Sequence, residues 1–223
     1  MEKFNPEILF NLDNSIVAQL FVGTDNAYEV LPKIGDFIKR IGSTLDSELY
    51  DSMGENFWIA KSAKVAPTAS ITGPCIICEN AEIRHCAFIR GNAFVGPNSV
   101  VGNSTELKNV VLIKNVQVPH YNYVGDSVLG SFSHMGAGAI TSNVKSDKTL
   151  VTVRIDGQII ETGLKKFGAI IGDNVEIGCG SVLNPGTVIG KNSNVYPLSF
   201  VRGYIPENSI YKRLGEVVVK YDT

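Results

Sequence analysis

Residues 59 to 107 read IAKSAK VAPTAS ITGPCI ICENAE IRHCAF IRGNAF VGPNSV VGNSTE L, a run that divides into hexapeptides without a slip. The leading positions are Ile59, Val65, Ile71, Ile77, Ile83, Ile89, Val95, Val101 and Leu107, and the strict count carries the series on to Ile113. Two positions before each following aliphatic residue the side chain is small, as at Ala63, Ala69, Cys75, Ala81, Ala87, Ala93, Ser99 and Thr105. A period of six suits neither an α-helix nor a flat two-faced strand. It predicts a triangular solenoid in which each hexapeptide supplies one short strand and a corner, three make a coil, and the aliphatic residue fills the prism. Gly, Asn, Asp and Pro between these positions serve the tight corners.

Beyond Ile113 the period continues with one-residue slips through Val118, Val124, Leu129 and Met135, and it is strict again at Ile171, Ile177, Leu183, Ile189, Val195 and Val201. About six coils follow from this count, stacked at roughly 4.8 Å each. The expected architecture is an all-β solenoid, a parallel β-helix over residues 58–205. An insertion over 142–169 carries two β-prone runs joined by Asp156-Gly157, which read as an extruded β-hairpin. That hairpin either lines a site or merely covers an edge. Residues 1–57 lack the repeat and contain apolar spacings of three and four, predicting a small helical segment that caps the first coil or contacts a neighbouring subunit. The C-terminal tail, 206–223, reads either as a final strand or as an arm exchanged between subunits.

Composition narrows the function classes. The chain has 223 residues, 44% of them hydrophobic, enough for a substantial core. A formal net charge of −2 without a Lys/Arg-rich block predicts no nucleic-acid partner. No apolar run reaches the roughly 18 to 20 residues a membrane span needs, and MEKFNPEILF lacks a signal-type pattern, so the expectation is a cytoplasmic protein with no membrane partner. Cys75-x-x-Cys78 has no second closely spaced ligand pair, and small residues are also needed inside the prism, so no metal site is expected.

Polar density is highest in Glu106-Leu-Lys108, His120-Tyr-Asn-Tyr123-Val-Gly-Asp126 and Gly136-Ala-Gly-Ala-Ile-Thr-Ser-Asn143. This ordered series resembles the acetyltransferase half of the bifunctional N-acetylglucosamine-1-phosphate uridylyltransferases/glucosamine-1-phosphate acetyltransferases, over roughly Ile59 to Arg202, within the wider hexapeptide-repeat acyltransferases. The resemblance implies a left-handed solenoid, a homotrimer, acetyl-coenzyme A as co-substrate and an amino sugar phosphate such as glucosamine-1-phosphate as acceptor, in UDP-N-acetylglucosamine biosynthesis. It also implies His120 as general base, a task that suits an imidazole near neutral pH. Arg90, Glu106, Lys108, Tyr123, His134 and Asn143 would bind the acceptor, and Ala137 and Cys179 the coenzyme.

Arg90 stands three hexapeptides before Lys108, so the two cations should stack one coil apart and hold a phosphate; otherwise each is solvated or paired with a neighbour such as Glu106. Lys145, Arg154, Lys165 and Lys166 in the insertion are further cations. The chain departs from the family at His134, where the pattern has asparagine, at Cys179, where it has serine, and at Pro197, where it has alanine. Proline has no N–H to donate. The length and the helical front leave no place for a uridylyltransferase domain, so that activity is not expected. Two other readings stay open: a non-catalytic trimeric binding or assembly module, and a γ-carbonic anhydrase-like metal hydratase using His85, His120 and His134.

Overall fold

A computed structural model describes residues 2–220; the last part of the tail, 221–223, lies outside the described residues. The hexapeptides form a parallel β-solenoid with three faces. In chain order within a coil, the first face carries strands such as Cys75–Ile77, Ala93–Val95, Ala169–Ile171 and Thr187–Ile189. The second carries Glu82–Ile83, Val100–Asn103, Gln117–His120, His134–Met135 and Glu176–Ile177, and the third Phe88–Ile89, Ile140–Thr141, Val182–Leu183 and Phe200–Val201. The second face is a nine-stranded sheet in which only the last strand is antiparallel, leaving eight parallel rungs rather than the six coils counted from the repeat. Aliphatic and small residues alternate inside, from Ile77, Ala81 and Ile83 to Leu183 and Ile189, all essentially inaccessible to solvent.

The slip in the repeat falls earlier than the strict count places it. Leu112, not Ile113, pairs with Val95 above and Leu129 below, while Ile113 turns out of the prism. Two coils have lost one residue at the corner from third to first face. The backbone runs through it as continuous strands, Glu106–Leu112 and Tyr123–Leu129. Asn109 and Asp126 make the bend with φ of 53° and 47°, a left-handed conformation that short polar side chains tolerate best after glycine.

The first face has an apolar outer side as well. Ile76, Phe94, Val111, Val128, Ile170 and Val188 form an outward row that is buried. Left bare, such a stripe would expose an apolar patch of a size rarely seen on monomeric surfaces. Each of these side chains contributes about 1.5–3 kcal/mol when covered. The N-terminal segment covers the row instead of sitting over the first coil. Its helix Pro6–Leu9, the 3-10 segment Ala27–Lys33 and the helix Ile34–Gly42 bring Leu9, Val30, Leu31, Ile34, Phe37 and Ile38 onto the row. Pro32 fits the tight 3-10 turn and lies before the helix proper, where its missing N–H costs little.

The insertion forms the expected hairpin, Thr152–Ile155 with Gln158–Glu161, turned by Asp156 and Gly157 at φ of 50° and 76°. It does not stand free: Val151, Val153 and Phe167 are buried in the same cluster as the N-terminal segment, and the Tyr28 and Phe167 rings lie 5.5 Å apart. Hydroxyls close the gap where the insertion leaves and re-enters. Thr141 takes an interior position otherwise aliphatic and accepts from the Gly125 amide, and Ser127 accepts from the Ala169 amide. Asp173 fastens the opposite flank, accepting from the Asn11 amide at 2.6 Å and the Ser131 amide at 2.7 Å.

Antiparallel strands finish both ends, Tyr50–Gly54 against Phe57–Ala60 and Glu216–Val219 against Ser209–Arg213, blunting the open edges. The ladder thus runs past residue 205, where the repeat ends in sequence, because Tyr211 fills the interior in place of an aliphatic residue. The described part of the tail folds back on its own chain.

Candidate functional site

Five of the site residues read from sequence gather on the third face and its corner with the first. Leu107 pairs with Ile89, and the Arg90 amide donates to the Leu107 carbonyl, so Arg90 and Lys108 occupy successive rungs as the spacing predicts. Each cation has a carboxylate partner. Arg90 Nη1 donates to Glu106 Oε1 at 2.6 Å, which holds the guanidinium pKa above its ordinary value. Lys108 Nζ reaches both Asp126 carboxylate oxygens at 3.1 Å. Asp126 is nearly buried and also accepts from the amides of Asn109 and Asn143. Asn143 donates to the Tyr123 hydroxyl at 3.3 Å. Burial, and then the negative charges of Asp126 and Glu106, push the Tyr123 phenol upward, so it remains a protonated donor.

The second group stands on the corner from second to third face. Ser104, Tyr121, Gly138, Gly180 and Leu198 each turn this corner at positive φ. Their amides donate to the carbonyls of His85, Asn103, His120, Ala137 and Cys179 on the coil before. His120, Ala137, Cys179 and Pro197 therefore form one vertical column, with His120 uppermost of the four and Ala137, Cys179 and Pro197 beneath it. Ala137 and Cys179 are 42 residues apart in sequence yet on neighbouring rungs, since the insertion loops out between them. Asn122, buried behind this corner, accepts from the His120 amide and donates to the carbonyls of Gly136 and Ala139.

His134 stands apart, on the second face, where Nδ1 lies 2.8 Å from Glu176 Oε2. It shares a shallow groove of about 560 Å³ with Glu176, Cys179, Tyr196 and Pro197, so the three departures from the family pattern lie together. Within one chain the nine residues thus fall into three neighbouring groups. Asp126, Asn109 and Asn122 complete them without having been singled out as site residues. Asp126 and Asn122 lie inside the motif that carried the resemblance, and their signal was a carboxylate at a corner and an amide at an interior position.

Cys75 and Cys78 are both buried, and burial pushes both thiols upward. Among the described residues, no three His, Cys, Asp or Glu side chains are grouped as metal ligands. No described helix is long and apolar enough to cross a membrane.

Residues 71–162 match the family model of the GMPPB C-terminal domain, and residues 168–203 match that of the bacterial transferase hexapeptide (six repeats). The bifunctional protein GlmU of Methanococcus vannielii is 38% identical over 104 residues, 47% of this chain and 25% of that protein. The bifunctional sugar-1-phosphate nucleotidylyltransferase/acetyltransferase of Sulfurisphaera tokodaii is 34% identical over 96 residues, 43% of this chain and 24% of that protein. The aligned part of the chain spans about a quarter of the length of these relatives. Among solved structures, the acetyltransferase domain of PglB from Neisseria gonorrhoeae FA1090, in complex with acetyl coenzyme A, is similar at 17% identity and a TM-score of 0.32, covering 70% of this chain and 53% of that one. The chain therefore carries the hexapeptide repeat of bacterial transferases and is related to the acetyltransferase region of the bifunctional enzymes.

Proposed function

We propose that the protein is an acetyl-coenzyme A-dependent N-acetyltransferase acting, as a homotrimer, on an amino sugar phosphate such as glucosamine-1-phosphate. The observation that carries this reading is the adjacency of two constructions: Arg90 and Lys108 on successive rungs beside Tyr123 and Asn143, and the corner column headed by His120. An ammonium has three N–H donors. Lys108 gives two hydrogen bonds to Asp126 and keeps one for a phosphate oxygen, while the more exposed Arg90 exchanges Glu106 for the phosphate. Glu106, once released, accepts from a sugar hydroxyl.

His120 takes the proton of the attacking amine as nitrogen bonds to the acetyl carbon. The carbon–sulfur bond breaks, and the departing thiolate receives that proton. Coenzyme A lies along the column over Ala137 and Cys179. Pro197, without an N–H, gives it no hydrogen bond from the last rung.

Covering of the first face supports the trimer, since it leaves the second and third faces for partners. These display Phe88, Tyr121, Tyr196, Leu198 and Phe200, all exposed apolar or aromatic side chains. A neighbour's second face, with His134, would then lie against the third face of this chain.

Free-thiol release from acetyl-coenzyme A with glucosamine-1-phosphate tests the proposal. His120→Ala is expected to lower turnover by about 10²- to 10⁴-fold, and Arg90→Gln chiefly to raise KM for the acceptor. Absence of thiol release from the folded protein with any amino sugar phosphate would refute the reading. The His134–Glu176 pair and Pro197 would then favour a non-catalytic assembly module.

A further inference from the structure

The register that stacks Arg90 on Lys108 continues down the third face through Gly125, Ser142, Asn184 and Arg202. Below Ser142 the insertion folds over this column and encloses a second cavity of about 460 Å³, apart from the Arg90–Lys108 cluster. Ser142, Asn184 and Arg202 supply its solenoid wall, and Lys145, Asp147 and Arg154 its insertion wall.

Three cations thus face one carboxylate in a chain whose formal net charge is −2. Asp147 is occupied locally: it accepts from the Thr149 amide and hydroxyl and lies 3.4 Å from Lys145. Arg154 and Arg202 form no ion pair among the described residues, although they come from separate elements. Arg202 is steadied by the Phe200 ring, 5.4 Å away.

Their convergence is built into the backbone. Gly186 and Gly203 have φ of +80° and +79°, and a Cβ at either would lie 2.7 Å from the Thr152 carbonyl oxygen or 2.6 Å from that of Arg154. The hairpin is therefore seated directly on two glycine corners, which brings Arg154 opposite Arg202 before any ligand arrives. Two guanidiniums carried by the backbone into one concave site suit the oxygens of a phosphate group better than they suit each other. The cavity exceeds the needs of a single phosphate.

We infer that this cavity binds a diphosphate group, the two arginines and Lys145 taking its oxygens. The site is independent of acetyl transfer and would bind whether or not His120 is catalytic.

Calorimetry of the full chain with inorganic pyrophosphate, and separately with orthophosphate, tests it. Pyrophosphate should bind, and more tightly than orthophosphate. Arg154→Gln and Arg202→Gln should each weaken pyrophosphate binding by roughly tenfold or more. Both residues are exposed, so the variants should keep the wild-type thermal midpoint. Lys165→Gln with Lys166→Gln, exposed cations of the same insertion outside the cavity, should leave binding unchanged. No pyrophosphate binding by wild type, unchanged binding in the Arg154/Arg202 double variant, or an equal loss from the Lys165/Lys166 pair would each overturn the inference.

Discussion

Replacing Lys108 with methionine keeps the side-chain length and removes its charge. Asp126, whose side chain is only 6% exposed, then loses both contacts to Nζ and keeps the amides of Asn109 and Asn143. Stranding a buried carboxylate costs about 3–5 kcal/mol. Lys108 is itself 25% exposed and two amide donors remain, so a cost at or just below the bottom of that range, about 2–3 kcal/mol, is expected for Lys108→Met. Asp126→Asn removes the other charge and should cost about 1–2 kcal/mol through its weakened hydrogen bonds. In the double variant no charge is left stranded, and the summed cost should fall short of additivity by about 1.5 kcal/mol or more. The assay is urea unfolding at fixed protomer concentration, followed by circular dichroism and by Trp58 fluorescence, and analysed as two-state only where the two transitions coincide. A coupling energy under about 0.5 kcal/mol would refute the reasoning, and would mean that Lys108 is a free cation whose whole charge is available to a ligand.

Two further outcomes concern the flanks of the solenoid. Burial pushes the Asp173 carboxyl above its usual range, outweighing the Asn11 and Ser131 amides. The native state consequently holds this proton more tightly than the unfolded chain, so the stability linked to it is complete below the unfolded value near 3.9 and is lost as pH rises through the folded value. Wild type should lose stability relative to Asp173→Asn as pH rises from about 4, read from urea midpoints; the opposite trend would contradict the assignment. Gly203→Ala should cost about 1–2 kcal/mol and quicken proteolysis within the hairpin, because the new methyl would meet the Arg154 carbonyl; an unchanged midpoint and cleavage rate would show that the hairpin is not seated there.

The solenoid was legible because a side chain pointing into a narrow prism has nowhere else to go, so Ile59 through Leu107 had to repeat with the coil. The hairpin was legible from Asp156-Gly157 for a similarly local reason, the two successive left-handed residues that its turn requires. At the shortened corner that logic loses its grip: Leu112 and Ile113 are adjacent aliphatics, and either fills the prism equally well by composition. Pairing with Val95 and Leu129 chose Leu112 and sent Ile113 outward.

The candidate site divides along the same line. The amino-acid sequence by itself determined which residue types meet at each coil spacing, hence the stacking of Arg90 on Lys108 and the polar segment from Glu106 to Asn143. Tertiary structure alone decided that the N-terminal segment lies along the apolar first face, that Ala137 and Cys179 are neighbours across a looped-out insertion, and that Arg90 pairs with Glu106 while Lys108 pairs with Asp126. The physical reason is one of range. A repeat records the local steric rule that every coil must obey, whereas the covering of an outer face and the partner of a flexible charge depend on burial and distance between segments far apart in the chain.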